Sequence, residues 1–517
     1  MLMAKSVARW AQQIWFPVGL GVILRLIQLQ APILGIHSWR QADTAAMARH
    51  FALEGTPIWL PQIDWSGASP GYVECEFPLY PYLLGQIYKL TGLHEWLGRG
   101  FSVFCSALTI VLIIGIGRRL LDPISAWWGG VFFAVLPLGV YYGRTLQAEA
   151  LLLLLAALSI ERLLAWKQRR SRWALLTSWL AFCLACLIKV LPLIWLGIPL
   201  LVVQMQPQPL GPALPLATCI RNLGKLARSP GPWLYAGSSI LIGALWYGHA
   251  YQLGQTSDLS FGFWGNNSDR SSLSLLLDID LWLNLLLRIS VRNLAVLGVP
   301  IVIFGLWECR RNAGGQILAA GLLSMGACTA VFLRASSIHE YYQLPLLIFL
   351  CPLMGRGWQS LTKLIASKGL HHQWLVNINL AMIVAISLAV LNFDYWALER
   401  QQTEIWMPLA QSIREEIPSK ARIVSVTGND PSLLNLARRQ GWLTTAKSIN
   451  QKQLQAWSEQ GATHLVGSLN WEESFKPLTK GKARNRLHKL LCEQSNSKVC
   501  PQTSHQTYLA PINLLIR

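Results

Sequence analysis

Apolar residues gather in about eleven stretches of helix length between residues 14 and 394. They run 14–33, 100–117, 124–141, 148–165, 173–189, 190–206, 233–254, 291–307, 316–333, 341–358 and 374–394. About twenty apolar residues in a helix match a hydrocarbon core about 30 Å thick. The pattern predicts a polytopic α-helical membrane protein with about eleven transmembrane helices. Lys189 and Pro192 interrupt the long run that contains 173–206, so that pair is two spans only if the chain turns there. Arg25 sits inside the first span and is expected to snorkel or to face the helix bundle. That span follows Lys5 and Arg9 and has no small-residue cleavage site after it, so it reads as a retained anchor.

The polar tracts between the spans alternate in charge. With the N-terminus in the cytoplasm, the inner segments 1–13, 118–123, 161–172, 207–232, 308–315 and 356–373 carry 17 Lys+Arg against 3 Asp+Glu. The opposite tracts, 34–99, 142–149, position 189, 255–292 and 334–340, carry 10 against 12. This positive-inside bias sets the expected orientation, and an odd number of spans puts the C-terminus outside. The net charge of +19 is therefore read as a topology signal in Arg118-Arg119, 167–170 and Arg310-Arg311, and no nucleic-acid partner is expected. Only 13% of residues are charged, about half the share of a soluble protein.

Three outer regions exceed a turn. The first, 34–99, contains an amphipathic helix from Gln41 to Gly55 and an aromatic, Pro-rich stretch at 78–93 that suits the membrane interface. The second, 255–290, opens on the polar tract Gly262-Phe-Trp-Gly-Asn-Asn-Ser-Asp269 and ends in a Leu-rich stretch, 272–289. The third is the tail, 395–517, where helices at 403–417, 431–440 and 449–460 alternate with strands at 421–427, 463–468 and 507–510. The expected division is a transmembrane domain over 1–394, with 34–99 as its catalytic outer loop, and a small extracytoplasmic α/β domain over 395–517. The tail's cations, Lys476, Lys480, Lys482, Arg484, Arg486 and Lys489, suit a solvated face. Cys492 and Cys500 lie outside, where they can pair or stay reduced.

Ionisable residues at the outer ends of the spans are the candidates for chemistry. Asp43, in His37-Ser-Trp-Arg-Gln-Ala-Asp-Thr44, suits a general base acting on an acceptor hydroxyl, or a helix cap. Glu74 and Glu76 offer paired carboxylates for a divalent metal, or plain loop charges. Arg144 and Glu149 stand at the ends of neighbouring spans and could pair with each other. Arg40, Arg144, Lys189 and Arg334, with His339, Glu340 and Tyr342, are candidates to hold a phosphate-bearing substrate at the membrane surface; for Lys189 and Arg334 the alternative is snorkelling anchors.

The order of these features resembles the integral-membrane glycosyltransferases of the C superfamily. The nearest group is the bacterial family 39-like proteins related to protein O-mannosyltransferases and lipid A aminoarabinose transferases. The resemblance covers roughly 14–360. It rests on the acid followed by Ala46-Met-Ala-Arg-His-Phe-Ala-Leu-Glu-Gly55, on Glu76-Phe-Pro-Leu-Tyr-Pro-Tyr-Leu-Leu84 and on Ile116-Gly-Arg-Arg-Leu-Leu-Asp-Pro123. It rests also on Ala148-Glu149, Leu187-Ile-Lys-Val190 and Tyr341-Tyr-Gln-Leu-Pro345. Three positions depart from the pattern: Thr44 in place of a second acid, Phe77 in place of a phosphate-binding Lys, and Glu149 in place of Asp.

The resemblance implies a plasma-membrane enzyme with a polyprenyl-phosphate sugar as donor and a lipid, glycan or protein as acceptor. Asp43 would be the principal catalytic acid or base, with Glu149 supporting it. A lipid-linked-sugar transporter or flippase is the alternative, although no inverted repeat is visible. A non-catalytic envelope scaffold is the third reading.

Overall fold

The computed structural model describes residues 14–261, 273–367, 373–473, 476–478, 481–493, 500–501 and 505–516. Lys5, Arg9, the polar tract 262–269 and Lys480 lie outside these residues. The protein is mostly helical, 71%, with a small mixed sheet. It forms two compact units. The first comprises 1–29, 99–248 and 266–392, and the second 30–98, 249–265 and 393–517. The tail, expected to form a domain by itself, thus shares its unit with the first outer loop and with 249–265.

In the first unit a helix occupies each apolar stretch. Among the described residues, three helical runs are long and apolar enough to cross a membrane, Glu95–Leu120, Ala313–Val331 and Trp374–Glu416. A fourth is formed if Ile279–Asn293 and Gly298–Cys309, bent by 91°, make one span. The other helices are shorter, broken or more polar. The stretch 124–141 shows why a hydropathy pattern overstates continuity. It divides into Pro123–Val135 and Pro137–Tyr142, with Leu136 extended between them (ψ 135°). A proline disfavours the helical conformation in the residue before it and brings no N–H of its own.

The freed carbonyls find a partner in Arg25, which is fully buried. Its guanidinium donates to the carbonyls of Phe133 (3.1 Å), Ala134 (3.1 Å) and Gly139 (2.8 Å), and to Gly21 in its own helix (2.9 Å). Of the two expectations for Arg25, the inward-facing one holds. Close backbone packing completes the unit. At Gly355 an added Cβ would lie 2.0 Å from the Ser125 carbonyl oxygen, so only glycine admits that helix contact.

The second unit holds a four-stranded sheet. In chain order the strands are β1 (Arg422–Val426), β2 (Gly441–Leu443), β3 (Ala462–Ser468), β4 (Trp471–Glu473), β5 (Lys476–Pro477) and β6 (Thr507–Pro511). The sheet order is β2-β1-β3-β6, and β4-β5 form a separate hairpin. β1 is parallel to β2 and β3, and β6 is antiparallel to β3. One apolar core lies between the sheet and helix Ala397–Glu416, built from Trp406, Leu409, Ile413, Ile423 and Val466, with Leu34 and Trp65 of the outer loop packed into it. The helix Ser38–Leu53 packs on Leu79–Thr91. Residues 259–261 run beside Glu74, whose N–H donates to Leu259 and whose carbonyl accepts from Phe261. Cys492 and Cys500 form a disulfide.

Candidate active site

In the second unit the candidate residues converge on helix Ser38–Leu53. His37 before it is left-handed (φ 55°) and makes no side-chain cap. Asp43 is the sixth residue of the helix, not its cap, so the capping alternative falls. Its side chain is buried, and Oδ1 accepts a hydrogen bond from Trp65 Nε1 at 2.9 Å. Burial pushes its pKa up to about 8. The indole hydrogen bond and the Arg40 charge oppose that rise, and the carboxylates of Asp64 and Asp430 add to it. A carboxyl group poised near neutrality is suited to take a proton.

The neighbouring charges are committed elsewhere. Arg40 pairs with Glu76 at 2.5 Å and lies over the Phe261 ring at 5.1 Å. Arg49, six residues on from Asp43, holds the buried Asp64 at 2.5 Å and donates to Asn435 Oδ1 at 2.9 Å. His50 faces Asp64 through Nε2 (3.1 Å) and Glu54 through Nδ1 (2.6 Å). Burial alone would raise the Asp64 pKa, but the Arg49 charge and the His50 hydrogen bond outweigh it and hold that carboxyl below its usual range. Burial lowers the His50 pKa, and its two carboxylate partners more than offset this.

Glu74 is buried, with its Cβ 2.9 Å from where a Cβ on Gly254 would stand, and Glu76 is engaged by Arg40. Among the described residues, neither belongs to a cluster of three metal-ligating side chains. The cluster that does form, His488 with Cys492 and Cys500, has its two sulfurs joined to each other.

In the first unit a second cluster forms where helices end. Glu149 opens helix Glu149–Arg169 and is buried. Lys189 caps helix Arg172–Ile188 and forms an ion pair with Glu149. Its ammonium lies 4.5 Å from the Tyr341 ring centre and 4.8 Å from that of Tyr342. The expected Arg144–Glu149 pairing is thus replaced by Lys189–Glu149. Arg144 is buried and donates to the Gln28 carbonyl at 3.2 Å. Glu340 is buried, accepts from Tyr142 Oη at 2.8 Å and forms an ion pair with Arg292. His339 stacks on Tyr341 with ring centres 5.3 Å apart. Lys189, Tyr341, Tyr342, Trp195 and Ser336 line a pocket, whereas Arg334 is exposed on the short helix Leu333–Ile338.

The sequence alone does not distinguish Asp64, Trp65, Arg49, Asp430 and Arg292 as site residues. Their partners lie many positions away, and no local spacing announces them. An acid followed by Trp in Pro61-Gln-Ile-Asp-Trp65 is the nearest thing to a signal.

The fold and these clusters define a helical membrane protein that keeps buried acids and cations at the ends of its helices. The family described as dolichyl-phosphate-mannose-protein mannosyltransferase matches residues 75–208. No curated protein matches the chain by sequence. Among solved structures, ArnT from Cupriavidus metallidurans bound to undecaprenyl phosphate aligns with a TM-score of 0.65 at 12% identity, over 97% of this chain and 98% of that one. Its apo form aligns with a TM-score of 0.64 at 14% identity over the same shares. The oligosaccharyltransferase AglB from Archaeoglobus fulgidus, in complex with an inhibitory peptide and a dolichol-phosphate, aligns with a TM-score of 0.52 at 11% identity, over 89% of this chain and 69% of that one. The chain shares its fold with these membrane-embedded transferases over nearly its whole length.

Proposed function

We propose that this chain is a membrane glycosyltransferase that moves a sugar from a polyprenyl-phosphate carrier to a lipid, glycan or protein on the outer face of the plasma membrane. The N-terminus would lie in the cytoplasm and the tail outside. The observation that carries the reading is Asp43, a carboxyl group buried at the outer loop and met by a neutral indole N–H, where burial pushes its pKa up to about 8. The aligned ArnT binds undecaprenyl phosphate and the aligned AglB a dolichol-phosphate, which supports a lipid-phosphate donor.

In the step proposed, Asp43 takes the proton of an acceptor hydroxyl as that oxygen bonds to the anomeric carbon. The bond from that carbon to the phosphate oxygen breaks, polyprenyl phosphate leaves, and the anomeric centre inverts. In the first unit, taken by itself, Lys189 and Arg292 are each paired with a carboxylate that a phosphate group can replace. The rings of Tyr341 and Tyr342 keep the Lys189 ammonium in place when that exchange occurs. Any divalent cation that takes part would draw on Glu74 and Glu76.

The test is release of polyprenyl phosphate from a panel of polyprenyl-phosphate sugars by the protein in lipid, compared with Asp43→Asn, with and without a chelator. Release that is lost in the mutant supports the reading. Transport of a lipid-linked sugar with no transfer would replace it with a flippase.

A further inference from the structure

The segment 207–232 takes no part in either cluster and carries three cations and no acid. Its helix, Leu216–Ala227, has no buried residue. Leu216, Ile220 and Leu223 are 76%, 63% and 43% exposed. At about 100° per residue they fall within one narrow face, and Arg221, Lys225 and the following Arg228 fall on the opposite flank.

This helix is fixed in place with its apolar face uncovered. Ahead of it, Ala213 N–H donates to the Arg311 carbonyl (2.7 Å) and Ala313 N–H to Gly211 (2.8 Å). Gln316 clasps Leu214 in both directions, at 2.8 and 2.7 Å. Midway, Asn222 Nδ2 donates to the Met205 carbonyl at 3.0 Å. Behind it, the exposed Trp233 donates from Nε1 to the Ala227 carbonyl at 2.8 Å, at the start of helix Pro230–Ser257. The loop that holds the front end adds the exposed Arg310 and Arg311.

We propose that Leu216–Ala227 lies in the plane of the membrane interface and binds anionic phospholipid headgroups. Its stripe of Leu216, Ile220 and Leu223 enters the acyl region, and Arg221, Lys225 and Arg228 meet the phosphates. An anionic bilayer surface supplies an apolar layer and a negative layer side by side, the two chemistries this helix presents. Trp233 marks the same depth, since indoles favour the interface. A second copy of this helix would bring cations against cations and is disfavoured by charge.

The test uses the full chain in nanodiscs, with Cys219, the partly exposed free thiol, replaced by serine. Nitroxide labels are placed at Ile220→Cys and Arg221→Cys. Accessibility to oxygen and to a water-soluble nickel chelate is compared in phosphatidylcholine alone and with phosphatidylglycerol. The expected result is oxygen access at 220 and chelate access at 221, with retained phosphatidylglycerol enriched around the wild type. Neutralising Arg221, Lys225 and Arg228 to Gln should reduce that enrichment by about fivefold per cation, and added salt should weaken it. Equal chelate access at both positions would overturn the proposal. So would protection of position 220 from both reagents, which would assign the face to a protein partner. An unchanged phosphatidylglycerol preference in the triple variant would also overturn it.

Discussion

Asp43 and Glu149 are both buried acids, and they keep different company. Asp43 is met by an indole N–H, while the nearest cation on its own helix, Arg40, is held by Glu76. Glu149 is met directly by the Lys189 ammonium. A neutral donor leaves a buried carboxyl group free to carry a proton, whereas Glu149 is held in a buried ion pair. The comparison teaches that the partner of a buried acid, a neutral N–H or an ammonium, decides which chemistry that acid is suited to.

The most severe way to break the comparison is Asp43→Asn. Asparagine still accepts from Trp65, so the fold persists. Turnover is expected to fall about 10²–10⁴-fold, the range for losing a general base. Residual release assayed beside a thermal melt separates chemistry from folding.

Next in size is the charge pair. Lys189→Met leaves Glu149 buried and unpaired, and should destabilise the first unit by about 3–5 kcal/mol, with most of the loss restored by adding Glu149→Gln. Failure of the second change to restore the melting temperature would show that the pair is not what holds the helix ends. Arg49→Ala should act in the same way on Asp64 in the second unit. There the sign with pH is fixed. Because the folded state holds Asp64 below its usual range, the stabilisation is present at neutral pH and is lost as pH falls through the folded value. The penalty of Arg49→Ala, read from melts, should therefore shrink in acid.

The finer test sharpens the role of Trp65. A base that titrates at about 8 gives a kcat/KM that rises with pH to an inflection near there. Trp65→Phe removes a hydrogen bond that favours the anion, so the inflection should move up, by about one unit at most, with turnover at neutral pH down severalfold. An unmoved inflection would assign the titration to another group.

Much of this architecture is legible in the chain itself. The tail strands at 421–427, 463–468 and 507–510 fall on β1, β3 and β6, because alternating Val, Ile and Thr between turn residues is a local signal. β2 escapes detection because it is three residues long and exists by close approach. Gly441 (φ 157°) brings its backbone so near β1 that a Cβ would lie 1.8 Å from the Ile423 carbonyl oxygen. Asp43 is legible as an acid near the start of a helix, but that helix is buried on every face over 41–48 and is not the amphipathic one the pattern predicts. Its partner Trp65 is 22 positions on, and the Arg49–Asn435 bond joins residues 386 apart. Such pairings are made by tertiary structure, and no periodicity records them.

Arg25 has a consequence for how the protein is made. Its carbonyl partners at 133 and 134 are synthesised 108 and 109 residues after it. Until they emerge, the first apolar helix carries a guanidinium into the bilayer without them, at a cost of about 2.5–3.5 kcal/mol on insertion scales. The helix that carries Arg25 therefore gains its buried partners only once the proline-broken segment 123–142 has been made.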